Sequence, residues 1–202
     1  SPIDFVMQHE GCTFQQACDI IGRVFGIYGD SPTPLPSRKS KPVELAMQKE
    51  YTYIPMEYVE QQLSVDNSFS QGLCHIFDPA LVRHLTEEYF LGCLDTGFYP
   101  DSVLFPSIDT QGRVRNIKVQ HYGTDPTSPD FLKSDKRHCF WLGAQLAKQG
   151  LLPAGAQFDN DCLFGAHLLP RYPTAPVILV ESPKNALVGA CAHPEFLWVA
   201  AG

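Results

Sequence analysis

The chain has no C-x-x-C pair, although it holds seven cysteines, at 12, 18, 74, 93, 139, 162 and 191. Their odd number and scatter exclude a disulfide framework, and their spacing offers no zinc site. They read as reduced, mostly buried thiols of a cytoplasmic protein. No apolar run is long enough to span a bilayer and no secretory signal is present, so no membrane partner is expected. Positive charge is scarce: 15 Lys and Arg stand against 22 Asp and Glu, a net charge of −7. That excludes a protein coated for nucleic acid, so contact with DNA or RNA has to come from a local patch. Apolar residues make up 44% and charged residues 18% of the 202, a globular composition that allows one domain with a proper core, or one plus a small appendage. The chain starts at Ser1 and closes on a strand-like Leu197–Gly202 run, so a fragment cut at both ends is expected.

The most informative stretch is Val177-Ile178-Leu179-Val180-Glu181-Ser182-Pro183-Lys184-Asn185-Ala186-Leu187. Four consecutive apolar residues read as a strand buried on both faces, as in a parallel sheet. Ser182 is a good N-cap, and Pro183 suits the first helical position, where its missing N–H costs nothing. Glu181 then stands at the carboxyl end of the strand, where open α/β sheets place their ligands. A first-turn acid favoured by the helix dipole is the plainer reading of the same residue.

Elsewhere, residues 13–25 read as a helix opened by a Thr13/Gln16 capping box, with Phe14, Ala17, Cys18, Ile21 and Phe25 on one face. Residues 31–42 hold four prolines, three serines and three cations without an acid, a stiff polar tether. Residues 56–63 and 79–90 read as helices, the second started by Asp78-Pro79. Ser102–Ile108, a turn at Asp109–Gly112 and a return strand over 113–120 form a hairpin. On the return strand Val114 breaks the alternation of Ile117 and Val119, leaving the inward face ambiguous. Arg113 and Arg115 sit two apart and share a strand face with Lys118 close by, a pattern that suits a phosphate backbone. A charged edge strand protected from aggregation accounts for it equally. Lys133, Lys136, Arg137 and His138 form a second basic cluster, read as a loop and diluted by Asp130 and Asp135. Asp159-Asn160-Asp161 reads as a side-chain-bonded turn, and His167 as a structural histidine.

In chain order these pieces resemble a bacterial DnaG-type primase, and more closely the shorter mobile-element proteins that join a CHC2 zinc finger to a Toprim domain. The segment Asp4–Phe14 is similar to the stretch after the finger's last zinc ligands. Leu104-Phe105-Pro106-Ser107-Ile108-Asp109 with Gly112-Arg113-Val114 resembles the strand and hairpin that open the polymerase region. Leu163-Phe164-Gly165-Ala166-His167 and Val177–Leu187 resemble the helix and first strand-turn of Toprim.

The resemblance implies an α+β chain: a helical remnant after a zinc finger (1–30), a Pro/Ser/Lys-rich linker (31–50), a small mixed α/β primase-type subdomain (51–160), and the first βαβ of a parallel Toprim domain (161–202). It implies a primase-related protein making metal-dependent nucleotidyl transfers on single-stranded DNA when full-length. Glu181 is then a ligand for Mg²⁺ or Mn²⁺ beside a later Asp-x-Asp pair. Lys184 is a phosphate contact, and Arg113, Arg115, Lys118, Lys133, Lys136 and Arg137 are nucleic-acid contacts. Zn²⁺ belongs only to an upstream finger. Nucleotides and single-stranded DNA are the implied partners, with a replicative helicase as a further one. The chain departs from the family pattern where Ser182-Pro183 replaces the usual Gly and Asn185 stands where Asp is common. Those departures keep open a non-catalytic Toprim-like binding module for plasmid or transposon maintenance.

Overall fold

The computed structural model describes residues 2–24, 50–97 and 99–201, in two compact units, Ser1–Lys49 and Glu50–Gly202. In the first unit helix α1 (Pro2–Glu10) packs on α2 (Phe14–Val24) across a turn at Gly11, whose φ of 61° suits a residue without Cβ. The capping box is present in both directions: the Thr13 N–H donates to Gln16 Oε1 at 2.9 Å, and the Gln16 N–H to Thr13 Oγ1 at 3.4 Å. Ala17 is buried but Phe14 is exposed. Two short helices bury little, so of the expected face Ala17 is buried and Cys18 and Ile21 are partly covered. Phe25 and the 31–42 tether lie outside the described residues.

The second unit is α+β. Its helices α3 (Met56–Gln62), α4 (Ser68–Leu73) and α5 (Pro79–Glu88) precede strands β1 (Gly92–Leu94), β2 (Ser102–Ile108), β3 (Val114–Tyr122) and β4 (Ser134–Trp141). Helix α6 (Leu142–Lys148), a 3-10 turn at Ala166–Leu168, β5 (Val177–Val180), α7 (Pro183–Ala192) and β6 (Leu197–Ala200) complete it. Strands β1 to β4 form an antiparallel sheet in sequence order, and β5 pairs with β6 in parallel through the α7 crossover. Segments 51–160 and 161–202 share one core, in which Phe105, Tyr89 and Phe164 meet Ala186, Leu187 and Leu197.

The register of β3 resolves the ambiguity at Val114. Ser107 pairs with Asn116 but Ile108 pairs with Val114, so Arg115 is an extra residue bulged out of the ladder. The bulge lets Val114, Ile117 and Val119 enter one core with Leu104, Ile108 and Leu142. Lys118 and Gln120, opposite Phe105 and Val103, face the other side of the sheet.

Three expectations are corrected. Residues 133–138 were expected as a loop, but from Ser134 onward they lie in β4; the pairing of Phe140 and Cys139 with Val119 and Gln120 extends a strand through a charged run that has no apolar alternation. The 177–180 strand is not buried on both faces: α7 covers the Trp198 side of the pair, while Val177 and Leu179 are 48% and 62% exposed on the other. Of the seven free thiols only Cys191 is buried, and Cys74 and Cys139 are exposed. Among the described residues, no helix is long and apolar enough to cross a membrane.

Helix α7 sits close on β6 because Gly189 faces the Trp198 indole; a Cβ there would lie 2.4 Å from the ring. Overpacking a site with no flexible neighbour costs on the order of 1–3 kcal/mol. Gly189→Ala should therefore lower the unfolding free energy read from urea titration by that amount, whereas Gly112→Ala should act only through the strain of its positive φ.

Candidate phosphate-binding cleft

Asp78 and Ser182 start their helices as expected. The Asp78 carboxylate accepts the Ala80 N–H at 2.9 Å, and Ser182 Oγ accepts the Asn185 N–H at 3.4 Å. With Ser182 as cap and Pro183 first in the helix, the chain turns sharply after β5 and leaves Glu181 at the strand's carboxyl end, beside its parallel neighbour β6. The Ala201 N–H donates to Val180 O at 3.0 Å and holds that end of the pair closed.

Glu181 borders an open cleft of about 520 Å³ between the α7 N-terminus and the β3–β4 face of the antiparallel sheet. Ser182, Lys184 and Asn185 line it from the helix, Lys118, Gln120 and Tyr122 from β3, and Ser134 and Cys139 from β4. The bulge at Arg115 turns Lys118 toward this side. Lys184 Nζ donates to Leu132 O at 3.5 Å, which steadies the ammonium without neutralising it. Among the described residues no carboxylate pairs with Lys118 or Lys184, and Glu181 makes no ion pair. The first N–H groups of α7 add positive potential from the helix dipole. Two ammoniums and a helix N-terminus against one carboxylate make the cleft locally positive on a chain of net charge −7.

The other expected nucleic-acid contacts are placed differently. Arg113 donates to Asp109 Oδ2 through Nε at 2.9 Å, with Nη2 also at 2.9 Å. Arg115, with a side chain only 18% exposed, bonds Asp159 Oδ2 at 2.6 and 3.1 Å and the Tyr53 hydroxyl at 3.0 Å. Both guanidiniums lie over the Tyr53 ring, at 4.7 and 5.3 Å. These two cations are committed within the chain and do not line the cleft. Burial opposes the charge on Arg115, but the bonds to Asp159 outweigh it and hold the group above its ordinary pKa. Asp109 is also opposed by burial; the Arg113 amide and guanidinium and the Gln111 amide hold its carboxyl below the usual range. Lys133 is paired with Asp130 at 2.7 Å on the surface. The side chains of Lys136 and Arg137 fall outside the described part of the structure. Asp159 does form the expected turn, accepting the Asp161 N–H at 3.0 Å, and also carries the bond to Arg115. His167 bonds Glu88 O through Nε2 at 3.0 Å, a structural role.

A divalent cation asks for about six oxygens. Glu181 is the one carboxylate lining the cleft, and among the described residues no group of three His, Cys, Asp or Glu is placed to hold a metal. Among the described residues the cleft offers one carboxylate toward such an ion and two ammoniums toward an anion.

A family model described as "Domain of unknown function (DUF6371)" matches residues 67–202. The chain belongs to this family. The matched region begins at Asn67, the N-cap of α4, and takes in both walls of the cleft. No curated protein matches the chain. Among solved structures, the zinc-binding and RNA polymerase domains of the Aquifex aeolicus primase are similar at 16% identity and a TM-score of 0.44, over 98% of this chain and 50% of that one. The chain spans half the length of that primase structure.

Removing Asp159 leaves the half-buried Arg115 with only Asp109, at 3.7 Å, as a carboxylate partner, which costs about 1–3 kcal/mol. Asp159→Ala should lose that much stability in urea unfolding. Because the folded-state pKa of Asp109 is depressed, its contribution is fully present above the ordinary carboxylate value, near pH ~4, and is lost as pH falls through the lower folded value. The stability gap between wild type and Asp109→Asn should thus be widest near neutral pH and close on acidification, as read from unfolding midpoints across the acid range.

Proposed function

We propose that this chain supplies the phosphate-binding cleft of a primase-related protein and takes the backbone of single-stranded DNA, or the phosphates of a nucleotide, between Lys118 and Lys184. The observation that carries the reading is the convergence of those two unpaired ammoniums and the α7 N-terminus on one open cleft. Nothing in sequence separation brings them together; the β3 bulge and the packing of α7 do. The order of primase-like segments along the chain supports the same reading independently of the cleft.

In this reading Lys118 and Lys184 bind, the Lys184 N–H in the first turn of α7 orients a phosphate oxygen, and Ser134 and Gln120 offer neutral hydrogen bonds at the wall. Glu181 at the rim repels a bare phosphate, and becomes useful where a cation and further carboxylates join it. Metal-dependent nucleotidyl transfer is the larger proposal, and the cleft supplies one carboxylate toward it. A binding module without transfer activity is the second reading, and the two ammoniums of the cleft serve it equally.

Fluorescence anisotropy of a labelled single-stranded oligonucleotide, titrated at several salt concentrations without metal, tests the cleft. Each phosphate contact contributes about 0.7 to the slope of log affinity against log salt for single strands. Lys118→Ala/Lys184→Ala should weaken binding and flatten that slope by about 1.4. Glu181→Gln should tighten metal-free binding, and Arg113→Ala should leave the slope unchanged. Absence of binding by wild type, or an unchanged slope in the double variant, would overturn the reading.

A further inference from the structure

Away from the cleft, around the other end of α7, lies a cavity of about 200 Å³ between α5, α7 and the start of β6. Its floor is apolar, formed by Leu85, Ala190 and Leu197, and three aromatic rings, Tyr89, Tyr172 and Phe196, line it. Two carboxylates, Glu88 and Glu195, also line it, and its lining contains neither Lys nor Arg among the described residues. The Glu88 side chain is only 13% exposed. It accepts a short hydrogen bond from the Tyr172 hydroxyl, and its nearest basic group is His84 Nε2 at 4.0 Å. Glu195 pairs with His193 at 3.3 Å, and the Arg171 guanidinium lies 5.8 Å from the Tyr172 ring centre. A carboxylate this enclosed, with a phenol and the imidazole of His84, itself in the cavity lining, as its company, lacks a permanent positive charge.

Aromatic rings and carboxylates around a small apolar volume are the chemistry that recognises an organic cation, and the Arg171 guanidinium over the Tyr172 ring shows that this ring already accepts one. The α7 C-terminus, the negative end of the helix dipole, borders the same cavity through Ala190 and Pro194. The volume exceeds the roughly 150 Å³ that accepts a benzene ring, so one compact alkylammonium fits. We infer that this cavity is a binding site for an organic ammonium group on a short apolar stem, with Glu88 as its counter-ion and Tyr172 and Phe196 as its walls. The shared chemistry has two sources: a free small amine, or a lysine side chain of a partner protein. The inference is independent of the phosphate cleft.

Choline and its uncharged carbon isostere, 3,3-dimethylbutan-1-ol, distinguish cation recognition from plain apolar filling in the unmodified chain. Titrated by NMR, choline should shift the Tyr172 and Phe196 ring protons and bind at least about tenfold more tightly than the alcohol, a difference of ~1.4 kcal/mol. Glu88→Gln should reduce choline affinity about tenfold, and Glu195→Gln, at the exposed rim, about two- to threefold. A parallel titration with N-acetyl-lysine methylamide assigns the source: tighter binding than choline points to a partner's lysine, weaker binding to a free amine, and either supports the site. Equal affinity for choline and the alcohol, no ring shifts with either cation up to about 10 mM, or undiminished choline binding in both glutamate variants would overturn it.

Discussion

One extra residue in β3 organises the second unit. Because side chains alternate along a strand, inserting Arg115 between Val114 and Asn116 reverses the facing of everything beyond it relative to Val114. Without that reversal, a strand that buries Ile117 and Val119 would turn Val114 to the other side and lose a core contact. With it, Val114 stays in the core beside Ile54 and Ile108, and Lys118 and Gln120 are left on the side where α7 arrives. The bulged residue itself needs a partner, since a half-enclosed guanidinium is costly alone. Asp159, from a turn 44 residues along the chain, supplies it, so the bulge, the Asp159 turn and the Tyr53 segment are fastened together.

That arrangement explains why basic residues close in sequence separate by role. Arg113 and Arg115 are planar donors that match carboxylates, and they are used as internal clamps on Asp109 and Asp159. Lys118, a few residues on, faces the cleft without a counter-ion among the described residues. Closeness in sequence treats all three as one patch, although alternation along an unbulged strand would already set Lys118 on the face opposite Arg113 and Arg115. The sign of the net charge is equally uninformative here, since the acids that outnumber the cations are partly consumed in holding the two arginines.

How much was legible follows from the range of the interactions. Local chemistry was readable: the Thr13/Gln16 box, the Asp78-Pro79 and Ser182-Pro183 helix starts, the Asp109–Gly112 turn and the strand-turn-helix at Glu181 all rest on contacts within a few residues. Short elements whose pattern carries no periodicity were not. β1 has three residues, and β4 runs through Ser134-Asp135-Lys136-Arg137-His138 and is a strand only because β3 pairs with it. The burial of β5 was overread because four apolar residues in a row imply two covered faces only when both faces meet a layer, and Leu179 meets none in the described structure. The cleft was half legible, as Glu181 and Lys184 on one side and Lys118 on the other, with nothing to say that they meet. The aromatic cavity left no trace in sequence, since its walls come from three elements and the loops between them, spread between residues 81 and 197.

Helix α7 joins the two binding readings and also keeps them apart. Ten residues of helix extend about 15 Å, so Lys184 at its first turn and Glu195 beyond its end are separated by more than the ~8 Å over which exposed charges interact at physiological salt. The helix dipole favours an anion at one end and a cation at the other without either ligand being felt strongly across the gap. The two ends are linked mechanically instead, through the contact of Gly189 with Trp198, whose indole N–H donates to His193 O at 3.0 Å and seats the end of the helix against β6. Charge changes in the cleft and in the cavity should therefore act additively on their own ligands, whereas a change at Gly189 disturbs both.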